Sequence, residues 1–204
     1  MNLLQENPTS SGKACFLIST LAEYQTEFWL RVGQDMRCRG VGCHYLSFDD
    51  RSTEMLRANG FTVFALPRLK KVRSEAECTE VFRRFGLSDP NYWFTHEKLV
   101  FGICDNLTLM NKLAAALLLA EEACEALGSS DQHVRMIQEV GGFLSVVGSY
   151  FAARSRGVDN WFIEPAFFKG RMFFLRNSFA ALSIPDFPVE KASLEVLAYL
   201  ENAR

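Results

Sequence analysis

Several kinds of chemistry need sequence features that this chain lacks. It contains no GxxxxGK[ST] phosphate loop and no GxSxG motif, which excludes P-loop nucleotide hydrolysis and the common serine-hydrolase arrangement. Its six cysteines form no CxxC pair and its three histidines are isolated in the sequence, so no metal site is predicted. The longest apolar run, residues 113–120, is far shorter than the roughly 20 residues that span a bilayer.

The chain also lacks an excess of charge of either sign. Its 22 Lys and Arg residues against 24 Asp and Glu residues leave a formal charge of -2, so no nucleic-acid partner is expected. A chain of 204 residues needs no disulfide staples, and we expect the cysteines to be reduced core residues of a cytoplasmic protein. Residues 1–13 are polar, lack the apolar centre of a signal peptide, and are expected to form a flexible leader.

Short apolar runs alternate with segments of helical periodicity. Such βαβ alternation predicts a doubly wound, mostly parallel Rossmann-like α/β sheet with helices on both faces, formed by a single domain over residues 14–204. We predict strands at 14–19, 41–47, 61–66 and 172–175, and helices at 23–39, 51–58, 75–85, 96–127 and 189–203. The long helical region is predicted to begin at a Thr95 cap and to break near residues 105–106.

Two short strands in the second half of the chain each end in a glutamate. Glu139 follows one strand and precedes Gly141 and Gly142, and Glu164 follows the next strand and precedes Pro165. A helix over residues 144–156 joins the two strands, which predicts a parallel crossover. Ligands bind at the carboxyl edge of such sheets, so this pair of carboxylates predicts a site.

The first strand-to-helix turn argues against a dinucleotide. It reads Ser-Thr-Leu-Ala-Glu over residues 19–23 and lacks the glycines that let the backbone approach a pyrophosphate.

The residues around both glutamates carry a family resemblance. The string includes Gln138-Glu139-x-Gly141-Gly142-Phe143, Asn160-x-Phe162-Ile163-Glu164-Pro165, Phe168-x-Gly170-Arg171 and Asn177-Ser178-Phe179. It resembles bacterial capsular polysaccharide biosynthesis proteins, and in particular the amino-terminal half of GT-B-type glycosyltransferases that include the capsule Kdo transferases.

The resemblance implies two Rossmann-like domains, of which the first binds the saccharide acceptor and the second binds most of the donor. The donor would be a nucleotide sugar, with CMP-linked sugars as one class, and this domain itself would bind no cofactor. The sequence has room for one such domain, so a second Rossmann-like domain or a partner chain is expected to supply the donor half.

The resemblance and the sugar-transfer chemistry assign roles to particular side chains. An inverting, metal-independent transfer needs a base beside the acceptor hydroxyl, and Glu139 is our candidate. Glu164 would orient the acceptor or act as the second candidate base, and Gly141 and Gly142 would let the acceptor approach. Two further residues, Arg171 and Asn177, would bind an anionic group of the ligand.

Other interpretations of the same residues stay open at this point. Glu139 can cap the following helix, and Glu164 can satisfy backbone amides in a turn. Glu23 can interact with a helix dipole, while Tyr24 beside it can stack on a sugar ring. The basic segment 68–73 is a solvated loop or a peripheral contact with the inner membrane.

The sequence therefore favours the acceptor-binding half of a surface-polysaccharide glycosyltransferase. The alternatives are a non-catalytic saccharide-binding or scaffolding module of a polysaccharide assembly complex, and a small-molecule-binding flavodoxin-like domain.

Overall fold

The structure is a computed structural model that describes residues 14–20, 22–66, 71–128, 133–165, 170–178 and 198. The predicted leader 1–13, the predicted helix 189–203 apart from residue 198, and residues 68–70 of the basic segment lie outside the described residues.

A six-stranded sheet and six helices form the described part of the chain. The strands are β1 Ala14–Thr20, β2 Gly42–Ser47, β3 Val63–Ala65, β4 His133–Glu139, β5 Asp159–Pro165 and β6 Met172–Arg176. The helices are α1 Glu23–Cys38, α2 Asp50–Ala58, α3 Glu75–Arg84, α4 Asn91–Phe101, α5 Asn106–Gly128 and α6 Leu144–Ser155.

The strand order is β3-β2-β1-β4-β5-β6. The first five strands are parallel, and β6 pairs with β5 in the antiparallel direction. The chain winds from β1 outward to β3 and then returns to place β4 on the other side of β1. The strand order therefore reverses between β1 and β4, and the crevice at this switch point is where open α/β sheets bind ligands. The predicted doubly wound, mostly parallel architecture is confirmed.

Apolar side chains of the central strands pack against helices on both faces of the sheet. On one face, Ile18 and Tyr45 pack with Trp29 of α1 and Leu56 of α2. On the other face, buried residues of β1, β2 and β4 join those of α3, α5 and α6 in the largest cluster of the core. Helix α5 belongs to that cluster, and eleven of its residues are buried.

Local capping explains where several helices begin. The Asp49 carboxylate accepts from the Ser52 amide at the start of α2, and Ser74 forms a complete capping box with Glu77 at the start of α3. The predicted cap at Thr95 was wrong, because α4 already begins at Asn91 and Thr95 lies within it. Its hydroxyl donates to the Tyr92 carbonyl instead.

The predicted break in the long helical region is confirmed. Helix α4 ends at Phe101 and is capped by Gly102, whose φ of 65° favours glycine, and α5 begins at Asn106. The two helices are bent by 110°. We call the exposed apolar residues at this bend, Leu99, Val100, Phe101 and Leu107, the α4–α5 corner.

Of the helices that the structure describes, none is by itself long and apolar enough to cross a membrane. Helices α4 and α5 together pass that test of length and composition as a bent pair.

The cysteines are only partly core residues, which corrects the prediction from composition. Cys15, Cys78 and Cys124 are buried, whereas Cys38 and Cys104 are exposed. Cys38 ends α1, and Cys104 lies in the loop between α4 and α5. Neither position faces the sheet, so hydrophobic packing does not enclose these two thiols.

Candidate functional site

Glu139 is the last residue of β4 and lies beside the switch-point crevice. The parallel register pairs Ile18 of β1 with Ile137 of β4, two residues before each strand ends. The ends of β1 and β4 are therefore level, and α1 begins three residues after β1. This arrangement brings the Glu139 carboxylate next to the first two turns of α1.

Two side chains of α1 hold the Glu139 carboxylate. Trp29 Nε1 donates to its Oε1 at 3.1 Å, and Gln25 Nε2 donates to its Oε2 at 2.5 Å. The Trp29 side chain is buried, while Glu139 itself is half-buried. Each oxygen accepts one hydrogen bond and retains capacity for another. The carboxylate of this half-buried residue is thus fixed in position by two donors from α1.

Gln25 links Glu139 to an exposed aromatic ring. Its Nε2 also donates to the Tyr24 hydroxyl at 3.1 Å, while its Oε1 is buried and has no hydrogen-bond partner. The Tyr24 side chain is 82% exposed. The start of α1 therefore places an exposed aromatic ring next to an anchored carboxylate.

Sequence reasoning missed the roles of Gln25 and Trp29. The available signal was their spacing of four residues, which puts both side chains on one helix face directly after β1. Their hydrogen-bonding partner is more than 100 residues away in the sequence.

Glu164 lies at the same edge of the sheet but on the other face. Glu139 is paired in register with Ile163, which packs with Trp29 on the α1 side. Side chains alternate along a strand, so Glu164 turns toward the α6 side, where Phe162 also packs. The two carboxylates share a rim, as predicted, but they do not converge on one ligand group. The role of second base for Glu164 is not supported by this geometry.

Gly142 is packed by the protein rather than open to a ligand. A Cβ atom at this position would lie 2.8 Å from three atoms of His96 on α4. The expectation that Gly142 leaves room for a saccharide is therefore wrong, because His96 occupies that space. At Gly141 the corresponding contact is the Phe143 ring, at 3.1 Å.

A buried carboxylate closes the amino terminus of α6. Glu97 has no exposed surface, and its Oε1 accepts from the Leu144 amide at 3.0 Å. Its Oε2 accepts from Lys112 Nζ at 2.6 Å. In many α/β proteins a phosphate group binds at a helix amino terminus like this one. Here the side chain of Glu97 takes that position.

Glu23 lies in the first turn of α1 and is engaged by a cation. Arg51 Nη1 donates to the Glu23 carboxylate at 2.9 Å and connects the starts of α1 and α2. Glu23 and Glu139 together leave negative charge around the amino terminus of α1. That charge opposes the binding of a phosphate and tolerates a neutral or cationic ligand.

Asn177 lies too far from Glu139 to share a ligand group with it, which corrects the predicted role. It follows β6 level with Asn160, at the amino edge of the sheet, and strand geometry separates it from Glu139 by roughly 14 Å. Its Oδ1 accepts from the Asn160 amide and its Nδ2 donates to Asp159, both at 2.8 Å. Asn177 follows the last residue of β6 at the open end of the β5–β6 hairpin, and its φ of 55° lies in the left-handed region that asparagine tolerates.

Arg171 lies at the same edge of the sheet as Glu139. It directly precedes Met172, which pairs with Pro165 at the carboxyl end of β5. Its side chain is exposed, so the predicted contact with an anionic ligand group stays a prediction.

Over the ranges that the structure describes, no three His, Cys, Asp or Glu side chains come together as a metal site. The geometry at the β1–β4 crevice is instead that of a hydrogen-bonding site for polar groups.

No family model matches the chain, and no curated protein matches it.

Proposed function

We propose that the β1–β4 crevice binds a saccharide and that the chain is the acceptor-binding half of a surface-polysaccharide glycosyltransferase. The observation that carries the proposal is the anchored carboxylate of Glu139 beside the exposed ring of Tyr24. Carboxylates accept hydrogen bonds from sugar hydroxyls, and aromatic rings cover the apolar face of a sugar.

The charges around the crevice favour an acceptor over a nucleotide. Glu97 caps α6, and Glu23 stands in the first turn of α1, so both helix amino termini nearest to the crevice already carry a carboxylate. A nucleotide phosphate would find the amino terminus of α6 already occupied by Glu97. At α1 it would meet the carboxylates of Glu139 and of Glu23, the latter paired with Arg51. The nucleotide sugar is therefore assigned to a second Rossmann-like domain or a partner chain.

In the proposed reaction Glu139 is the general base. Its carboxylate takes the proton of the acceptor hydroxyl as that oxygen forms a bond to the anomeric carbon of the donor sugar. The bond from that carbon to the nucleotide phosphate breaks with its electron pair leaving on the phosphate, and the anomeric configuration inverts. Gln25 and Trp29 are positioning residues, since they hold the carboxylate rather than the substrate.

The test compares Glu139→Gln with Glu164→Gln in the full chain. Both variants remove one carboxylate from the same edge of the sheet, but only Glu139 faces α1. We expect binding to an array of bacterial capsular oligosaccharides, with affinity lowered about tenfold or more in Glu139→Gln and little changed in Glu164→Gln. Equal effects of the two substitutions, or no oligosaccharide binding by the unmodified chain, would contradict the proposal.

The second candidate is a non-catalytic saccharide-binding or scaffolding module. The two hydrogen bonds on Glu139 favour it, because a carboxylate held by two donors serves binding as well as it serves proton transfer. The discriminating measurement is transfer from a nucleotide sugar with the donor half supplied. If Glu139 is the base, we expect Glu139→Gln to lose kcat at saturating acceptor. If the chain is a binding module, we expect no turnover in the unmodified chain or in the variant.

A further inference from the structure

The α4–α5 corner is an exposed apolar surface that the proposed function does not use. The exposed fractions are 80% for Leu99, 56% for Val100, 53% for Phe101 and 40% for Leu107. Single exposed apolar residues are normal, but a cluster of large ones marks a surface that contacts something other than water.

The shape of the corner restricts what it can contact. The last turn of α4 and the first turn of α5 meet at a 110° bend, and the connecting loop is residues 102–105. The exposed apolar side chains thus lie at the two helix ends that meet in this bend. An exposed apolar surface of this kind fits insertion into the boundary between lipid headgroups and acyl chains.

Basic residues lie beside the corner. Asn111 of α5 connects Arg73 to the corner. Its Oδ1 accepts from the Arg73 amide at 2.7 Å, and its Nδ2 donates to the Leu107 carbonyl at 3.0 Å. Lys71 and Val72 precede Arg73 and are exposed. The segment thus combines exposed cationic and apolar side chains next to Leu107.

The charges that face the corner are of both signs. Lys98 lies in the last turn of α4, and Lys112 lies 5.2 Å from the centroid of the Phe101 ring. Three carboxylates are close. Glu77 pairs with Lys71 and Glu97 is buried against Lys112, whereas Asp105 accepts from Thr108 and remains an anion in the corner loop. The half-buried Lys98 and Arg73 contribute two cations against this one carboxylate, and cations favour anionic headgroups.

We propose that the α4–α5 corner docks on the surface of an anionic lipid bilayer, with Leu99, Val100 and Leu107 inserted and the 71–73 segment and Lys98 on the headgroups. The docked corner adjoins the crevice, because the Phe101 ring lies 6.0 Å from that of Phe143, which follows Gly142. If the proposed function also holds, the acceptor is a membrane-associated saccharide; docking itself does not depend on that function.

The two exposed cysteines provide a matched probe. Cys104 lies in the corner loop, and Cys38 lies at the end of α1, away from it. An environment-sensitive fluorophore is attached to Cys104 in a Cys38→Ser chain and to Cys38 in a Cys104→Ser chain. On vesicles of phosphatidylcholine with phosphatidylglycerol, we expect a blue shift from the Cys104 label and none from the Cys38 label.

Cosedimentation with the same vesicles tests the side chains. We expect the pair Leu99→Gln and Val100→Gln to lower vesicle partitioning about tenfold or more, because two inserted side chains are removed. Met172→Gln, an exposed apolar position on β6, is the control and is expected to partition normally. Circular dichroism and thermal unfolding verify that each variant is folded.

Several results would overturn the proposal. These are no partitioning of the unmodified chain, equal partitioning of the corner variant and the Met172→Gln control, or equal shifts from the two labels. Self-association that is lost in the corner variant, without vesicle binding, would assign the surface to a second copy of the chain. Saccharide binding is measured separately in the Glu139→Gln variant, so failure of one proposal leaves the other testable.

Discussion

Glu97 is an acidic residue with no exposed surface, and its two oxygens serve two different elements. One accepts from the Leu144 amide at the start of α6, and the other accepts from Lys112 of α5. Three helices therefore meet at one side chain. These contacts fix the loop between Glu139 and the start of α6. Glu97 therefore supports the structure of the crevice.

Glu97→Gln is expected to destabilise the protein by about 2 kcal/mol, because the amide leaves Lys112 without its anion while still reaching Leu144. Lys112 is partly exposed, so water compensates for some of the loss. Urea unfolding measures the effect. Glu80→Gln, which breaks an exposed pair with Arg83, is the control and should unfold like the unmodified chain. Equal midpoints for both variants would contradict this role of Glu97.

Gly142→Ala tests the close approach of α4 to the same loop. The added methyl group would lie 2.8 Å from the His96 side chain, so one of them has to move, at a cost of about 1–3 kcal/mol. Gly128→Ala is the matched control, since nothing lies within 4 Å of a Cβ atom there. Chemical denaturation of both variants gives the comparison. A Gly142→Ala protein as stable as the control would show that the loop yields without cost.

At the scale of elements, charged side chains hold the open end of the β5–β6 hairpin together, in addition to the backbone hydrogen bonds between its strands. Arg176 Nη2 and Asn177 Nδ2 each donate to the Asp159 carboxylate, at 2.7 Å and 2.8 Å. Burial, the largest single effect, would raise the pKa of Asp159, but the two hydrogen bonds together with the positive charges of Arg176 and Arg135 hold the pKa below its ordinary value. The ionised form is therefore favoured by folding.

This lowered pKa predicts a pH dependence. The contribution of Asp159 is complete above the ordinary aspartate pKa of about 3.9 and is lost as pH falls through the lower folded value. Asp159→Asn should therefore be less stable than the unmodified chain at pH 6, with the difference shrinking as the pH falls below 4. Thermal unfolding across that range is the measurement. A difference that stays constant with pH would rule out ionisation as its source.

The elements that periodicity and caps define were predictable from the sequence, and the contacts between distant elements were not. The break between α4 and α5 follows from the Gly102 and Asp105 signals, which act locally. The burial of Glu97 has no local signal, because it depends on Leu144 and Lys112. Thr95 is a good cap residue by type, but α4 begins four residues earlier, at Asn91.

The same distinction applies to the candidate site: the positions of its residues along the strands could be predicted, but their contacts with other elements could not. The position of Glu139 at the carboxyl edge follows from the strand pattern, whereas its bonds to Gln25 and Trp29 depend on which strands are neighbours. Asn177 was assigned to this site because the sequence alone does not reveal that β6 runs back toward the amino edge.

At the scale of the whole molecule, the reactivity of each cysteine thiol depends on whether the core buries it. Burial raises the pKa of Cys43 to about 11 and that of Cys124 to about 12. In the native protein at pH 8 we expect fast reaction of Cys38 and Cys104 with a thiol reagent, and reaction of Cys15, Cys78 and Cys124 only on unfolding. Mass spectrometry of the modified peptides assigns the sites. Fast modification of Cys124 in the folded chain would contradict the packing of α5.

The antiparallel direction of β6 determines how far from Glu139 the chain leaves the sheet. After this strand the backbone emerges at Asn177, on the rim remote from the crevice and roughly 14 Å from Glu139. An extended chain advances about 3.5 Å per residue, so about four residues are needed to cover that gap.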